Sequence, residues 1–158
     1  MTSTSATIIK RRVLCLHGKR TSAKIMNRQM SAMRYHTSSC LDYIYIDAPY
    51  PAEGLPDEGI QMFYPNEDYY EWYLRREKED GSIDYHGIEK STDRVIDYLR
   101  SHGPFDGIVG FSQGASLANR LVYLQQNKLL GFENGDLFRF VILIGGQEAM
   151  DIPKEVTQ

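Results

Sequence analysis

Gly103-Pro-Phe-Asp-Gly-Ile-Val-Gly-Phe-Ser-Gln-Gly-Ala115 is the stretch on which the reading of this chain turns. Its first part, Gly107 to Phe111, is short, apolar and bounded by glycine, as a strand buried on both faces would be. Its last part opens a helical pattern that continues through Leu117, Leu121 and Leu124. Between them stands Gly110-Phe-Ser112-Gln-Gly114, a G-x-S-x-G at a strand-to-helix junction. A serine on so sharp a turn projects its hydroxyl above the carboxyl ends of the strands. The positions two before and two after it press against neighbouring backbone, so Gly110 and Gly114 are required to be small. The amide of Gln113 then faces the place where an oxyanion develops, at a helix N-terminus whose partial positive charge favours an anion. A dinucleotide-binding turn is excluded by spacing, because Gly107, Gly110 and Gly114 run G-x-x-G-x-x-x-G rather than G-x-G-x-x-G.

Working outward, Val13-Leu-Cys-Leu16 is a second short apolar run, and a helix is predicted within residues 23–35. Leu41 to Ile46 reads as the next strand, stopped by Asp47-Ala-Pro49. Residues 50–85 read as one long, irregular insertion rich in tyrosine and proline, a length that is usually functional in a compact domain. Ile88, Thr92, Val95 and Leu99 form one helical stripe ended by Gly103-Pro104, and residues 138–144 form the last strand. Right-handed crossovers would make all four strands parallel, with helices on both faces. The expected fold is α/β, an α/β-hydrolase-like three-layer sandwich with a mostly parallel sheet, truncated after the strand near 138–144. It forms one domain over residues 1–158 with a flexible tail over 1–10. Phe140-Val-Ile-Leu-Ile144 is too apolar for an exposed edge, so a neighbour is expected beside it.

The turn after the first strand, His17-Gly18-Lys19, is the place where this layer order puts a second oxyanion donor. The amide of Lys19 is the expected donor, Gly18 lets the backbone approach the reacting carbonyl, and His17 is expected to brace the loop by hydrogen bonding. A phosphate-binding loop is excluded, since that pattern needs glycine at Val13 and serine or threonine at Arg20.

Composition removes other classes. The 158 residues carry 18 Lys+Arg against 21 Asp+Glu, a net charge of −3, with no basic face for nucleic acid. No apolar run is long enough for a membrane span, and no signal-peptide core is present. Two cysteines, Cys15 and Cys40, do not make a disulfide framework and suit a reduced, intracellular setting. No metal ligand set and no cofactor motif is read.

With Arg12-Val-Leu-Cys-Leu-His-Gly18, Tyr45-Ile-Asp-Ala-Pro49 and the thirteen residues 103–115 in hand, the chain resembles the FSH family of small serine hydrolases, from about Arg12 to Gly146. The resemblance implies a cytoplasmic esterase of the carboxylic-ester or thioester class, acting on a small-molecule substrate through Ser112, with the main chain at Lys19 and Gln113 as oxyanion donors. Relatives often carry an apolar residue where Lys19 stands, and a cation there would turn preference toward anionic esters. Tyr69-Tyr-Glu-Trp-Tyr73 corresponds to a tryptophan-bearing loop, so Trp72 either lines the acyl pocket or anchors the loop.

The fold orders its triad Ser, then Asp or Glu, then His. Here the four histidines are His17, His36, His86 and His102, all before Ser112. Glu148 and Asp151 follow the last strand but have no histidine to support. His36 and His102 are expected at the far ends of the strands, and His86 at the mouth of a helix that disfavours an imidazolium. The expectations are therefore three: a serine hydrolase incomplete in this chain and weak without its base, a non-catalytic pocket-bearing module derived from a hydrolase, or an enzyme that recruits His86. The uncovered last strand is expected to support self-association.

Overall fold

Four apolar runs become one parallel sheet in the computed structural model, which describes residues 9–146. The strands are β1 (Arg11–Leu16), β2 (Leu41–Ile46), β7 (Gly107–Phe111) and β8 (Phe140–Ile144), in the order β2-β1-β7-β8. All three pairings are parallel, with Leu14 beside Ile44 and Ile108, and Gly110 beside Leu143. Parallel pairing requires crossovers, and helices supply them. They are α1 (Ala23–Gln29), α2 (Ser31–Thr37), α4 (Ile88–His102) and α5 (Gln113–Gln126). The architecture is the expected α/β sandwich.

Strand alternation divides the core in two. Leu14, Leu16 and Ile108 point to the face of α4 and α5, where they join Val95, Leu99, Leu117, Leu121 and Leu124. Val13, Cys15 and Val109 point the other way, toward Met26 and Met30. That second face is only partly covered: Phe111, Phe140 and Ile142, which share it, are each about 37–38% exposed.

Three expectations need correction. The helix over 23–35 is broken at Met30, which caps α1 at its C-terminus and starts α2. The last strand begins at Phe140, because Phe138 is instead buried against Phe132 in the preceding turn. Residues 50–85 are not one irregular loop. They contain β3 (Tyr50–Pro51) paired with β4 (Tyr70–Glu71), α3 (Glu58–Phe63), and the hairpin β5 (Leu74–Glu77) with β6 (Ile83–His86). These elements are two to six residues long, too short for a period to show in the sequence. Residues 1–8 of the expected tail, and Glu148 and Asp151, lie outside the described residues; Ile9 and Lys10 are exposed and irregular.

Candidate active site

Ser112 sits between β7 and α5 with φ 51° and ψ −114°, a backbone conformation that side chains other than glycine rarely adopt. Its amide donates to the carbonyl of Ile144 on β8 at 2.8 Å, and its carbonyl accepts from the amides of Ala115 and Ser116 that begin α5. Strand, turn and helix thus hold the residue on three sides. The glycines mark close approaches. A Cβ on Gly114 would run into the carbonyl oxygens of Leu16 and His17, and one on Gly110 would lie 2.5 Å from Ala115 Cα. A Cβ on Gly18 would lie 2.9 Å from the Phe111 ring and 3.5 Å from Ser112 Cβ. The His17-Gly18-Lys19 turn therefore lies directly against the serine, and the carboxyl ends of β1 and β7 meet there. Among the described residues, neither the Lys19 nor the Gln113 amide donates a hydrogen bond.

His17 is fully buried. The amide of Ala48 donates to its Nε2 at 3.0 Å, so Nε2 is the lone-pair nitrogen and Nδ1 carries the hydrogen. Nδ1 donates to the Gly18 carbonyl at 2.7 Å, and the Thr21 hydroxyl donates to the same oxygen at 2.8 Å. Burial outweighs the raising effects of the Gly18 carbonyl and Asp47, and holds the imidazole down to about 4. A neutral ring with both nitrogens engaged ties the loop together and has no lone pair left for a substrate proton.

Trp72 is also fully buried. Its indole Nε1 donates to the His17 carbonyl at 2.8 Å, and its ring lies 5.2 Å from that of His17. Its backbone amide donates to Gln113 Oε1 at 2.7 Å, while Gln113 Nε2 donates to the Tyr73 carbonyl at 2.7 Å. The Gln113 side chain thus clasps residues 72–73 much as a neighbouring strand would. Trp72 has no exposed surface and is not among the described residues that line the cavities at Ser112, an arrangement that suits an anchor.

Two clefts meet at Ser112. One, of about 270 Å³, is lined by Lys19, Tyr73, Arg75, Ser112, Gln113 and Ser116 among others. The other, of about 370 Å³, is lined chiefly by Gly18, Lys19, Thr21, Asp57, Ile60 and Phe111, with Ser112 again at its edge. Tyr73 keeps its phenol protonated, pushed up to about 12 mainly by burial. Sequence reasoning missed Tyr73 as a site residue, in the turn just before β5, and Arg75, on β5 itself; neither carries a local motif. It also missed Arg20, whose guanidinium pairs with buried Glu71 at 2.9 Å and donates to the carbonyls of Glu53 and Leu55, pinning the long insertion to the loop after β1.

The remaining histidines lie elsewhere. His86 ends β6 opposite Leu74 and is exposed, lining neither cleft. His102 ends α4, where its carbonyl accepts from Arg12 at the start of β1, and His36 lies in α2. Among the described residues no three His, Cys, Asp or Glu side chains gather closely enough to hold a metal ion. No helix among them is long and apolar enough to cross a membrane.

Comparison with known proteins bears on the same features. The profile of the family described as "Serine hydrolase (FSH1)" matches residues 5–155. Esterase FPY3 of Fusarium mangiferae is 34% identical over 113 residues, covering 70% of this chain and 48% of that protein. Hydrolase FUB4 of Fusarium oxysporum is 36% identical over 116 residues, covering 73% of this chain and 40% of its own. Esterase OVCA2 of Danio rerio is 31% identical over 149 residues, covering 85% of this chain and 64% of its own. The chain thus spans about half the length of the curated relatives it matches.

Proposed function

The chain belongs to the FSH1 family of serine hydrolases, and on that premise we propose that Ser112 is an acyl-accepting nucleophile for carboxylic esters or thioesters. In this reading the Ser112 oxygen bonds to the substrate carbonyl carbon, and the carbonyl becomes an alkoxide held by the amides of Lys19 and Gln113. The alkoxide then collapses, the bond to the leaving oxygen or sulfur breaks, and the serine proton departs with the leaving group. Water reverses the sequence and releases the acid.

One observation carries the reading: the positive φ of Ser112 beside two amides without acceptors among the described residues. A strained non-glycine residue persists only where its surroundings impose it, and such strain gathers at reactive sites. His17 supports the turn and does not take the proton, because both of its nitrogens are engaged.

In the same reading, the rate these residues reach by themselves is limited. With His17 engaged and His86 away from both clefts, the acceleration available is what an oxyanion hole and binding provide, about 10³–10⁴-fold over water. The test is labelling by a neutral alkyl fluorophosphonate, read by intact mass. The expected result is one phosphonyl group per chain, formed slowly, carried on Ser112 and lost in Ser112→Ala. Absence of labelling, with p-nitrophenyl butyrate hydrolysed at the background rate, would overturn the nucleophile reading and leave a pocket that binds without reacting.

A further inference from the structure

Among the described residues, the cleft shared by Ser112, Tyr73 and Gln113 is lined by two cations and no carboxylate. Lys19 enters it from the loop after β1, and Arg75 from β5, more than fifty residues later. Most other arginines around the site have visible work. Arg20 is spent on Glu71 and two carbonyls, Arg28 on Glu67, and Arg94 on the Asp47 carbonyl. By contrast the side chains of Lys19 and Arg75 have no ion pair or hydrogen bond among the described residues. The second cleft differs: Asp57 is on its wall, beside Ile60 and Phe111. Two like charges held in one cleft repel each other, and among the described residues neither side chain has an ion pair that offsets the repulsion.

We propose that this cleft receives the free acidic group of a half-ester or half-thioester, so that the substrate class is the monoester of a short dicarboxylic acid rather than a neutral alkyl ester. The proposal rests on the reading of Ser112 as the acyl acceptor and adds the chemistry of the substrate. A guanidinium offers a carboxylate two parallel donors, and the ammonium of Lys19 adds a second positive charge to the same cleft. The phenol of Tyr73, protonated and hydrogen-bonded to Ser116, adds no negative charge. At about 270 Å³ the cleft has room for a four- or five-carbon diacid chain. Both cations are exposed, so the expected preference is moderate and sensitive to salt.

The test separates binding from reaction. The full chain is titrated with monomethyl glutarate and, separately, with dimethyl glutarate, following the Lys19 and Gln113 amide resonances. The half-ester is expected to bind about tenfold more tightly than the diester. That preference should fall to about twofold in Arg75→Gln, largely return in Arg75→Lys, and shrink in 0.5 M KCl, taken as roughly three times physiological ionic strength or more. Equal binding of the two compounds, binding of neither, or a preference untouched by Arg75→Gln would overturn the proposal. Fluorophosphonate labelling of the same preparation reports separately on Ser112. Labelling without anion preference removes the substrate class and keeps the nucleophile, whereas anion binding without labelling overturns both the nucleophile and the half-ester substrate and leaves only an anion-binding cleft.

Discussion

Against α4 and α5 the sheet buries a continuous apolar mass, from Leu14 and Leu16 through Val95 and Leu99 to Leu121 and Leu124, with Trp72 and Phe132 at its margins. Against α1 it buries Val13, Cys15, Val109, Met26 and Met30, and the part of that face over β7 and β8 lies open at Phe111, Phe140 and Ile142. The two sides teach where stability and reactivity are drawn from. The more fully packed side, open over β8 at Leu143, carries Trp72, whose bonds to His17 and Gln113 set both turns of the candidate site. The open side carries the strand whose last residue holds the Ser112 amide.

Leu121→Ala probes the packed side and should have the largest effect. A fully buried leucine there costs roughly 3 kcal/mol on truncation, read from urea unfolding. Acidification probes the polar interlock on that side. The folded imidazole of His17 sits at about 4 and the unfolded one at 6.5, so the unfolded state binds more protons between those values. Stability is then complete above 6.5, falls as pH drops through the window, and levels below 4, by about 3 kcal/mol in all at the limit. Ring nitrogen shifts of His17 that stay those of the neutral Nδ1-protonated form at pH 5 would agree, and a midpoint near 6.5 would break the interlock argument. Ile142→Thr probes the open side and should have the smallest effect, within about 0.5 kcal/mol. A cost equal to that of Leu121→Ala would mean that the open face is covered in solution, and the contrast between the sides would vanish.

What could be read from the chain follows the same division. The four parallel strands and the elbow were legible because each is written as a contiguous local pattern, even where, as at Gly114, the atoms that demand a small residue come from β1. Gly110 and Gly114 are small because their Cβ positions are filled by residues of the adjoining turn and strand. Residues 50–85 were not legible, because what orders them is distant. Glu71 is held by Arg20, residues 72–73 by the Gln113 side chain, and the Ser91 hydroxyl donates to the Trp72 carbonyl. No period in the sequence encodes those bonds. Trp72 shows the limit well: the sequence offered wall and anchor equally, and only burial separates them. Arg75 shows the opposite limit, since an arginine in a charged hairpin gives no signal until the hairpin is placed beside Ser112.

The bond from the Ser112 amide to the Ile144 carbonyl has one more implication. The candidate nucleophile is tethered through its own backbone to the last strand of the described sheet, so any displacement of β8 is passed to the turn that carries its hydroxyl without a change in either cleft's side chains.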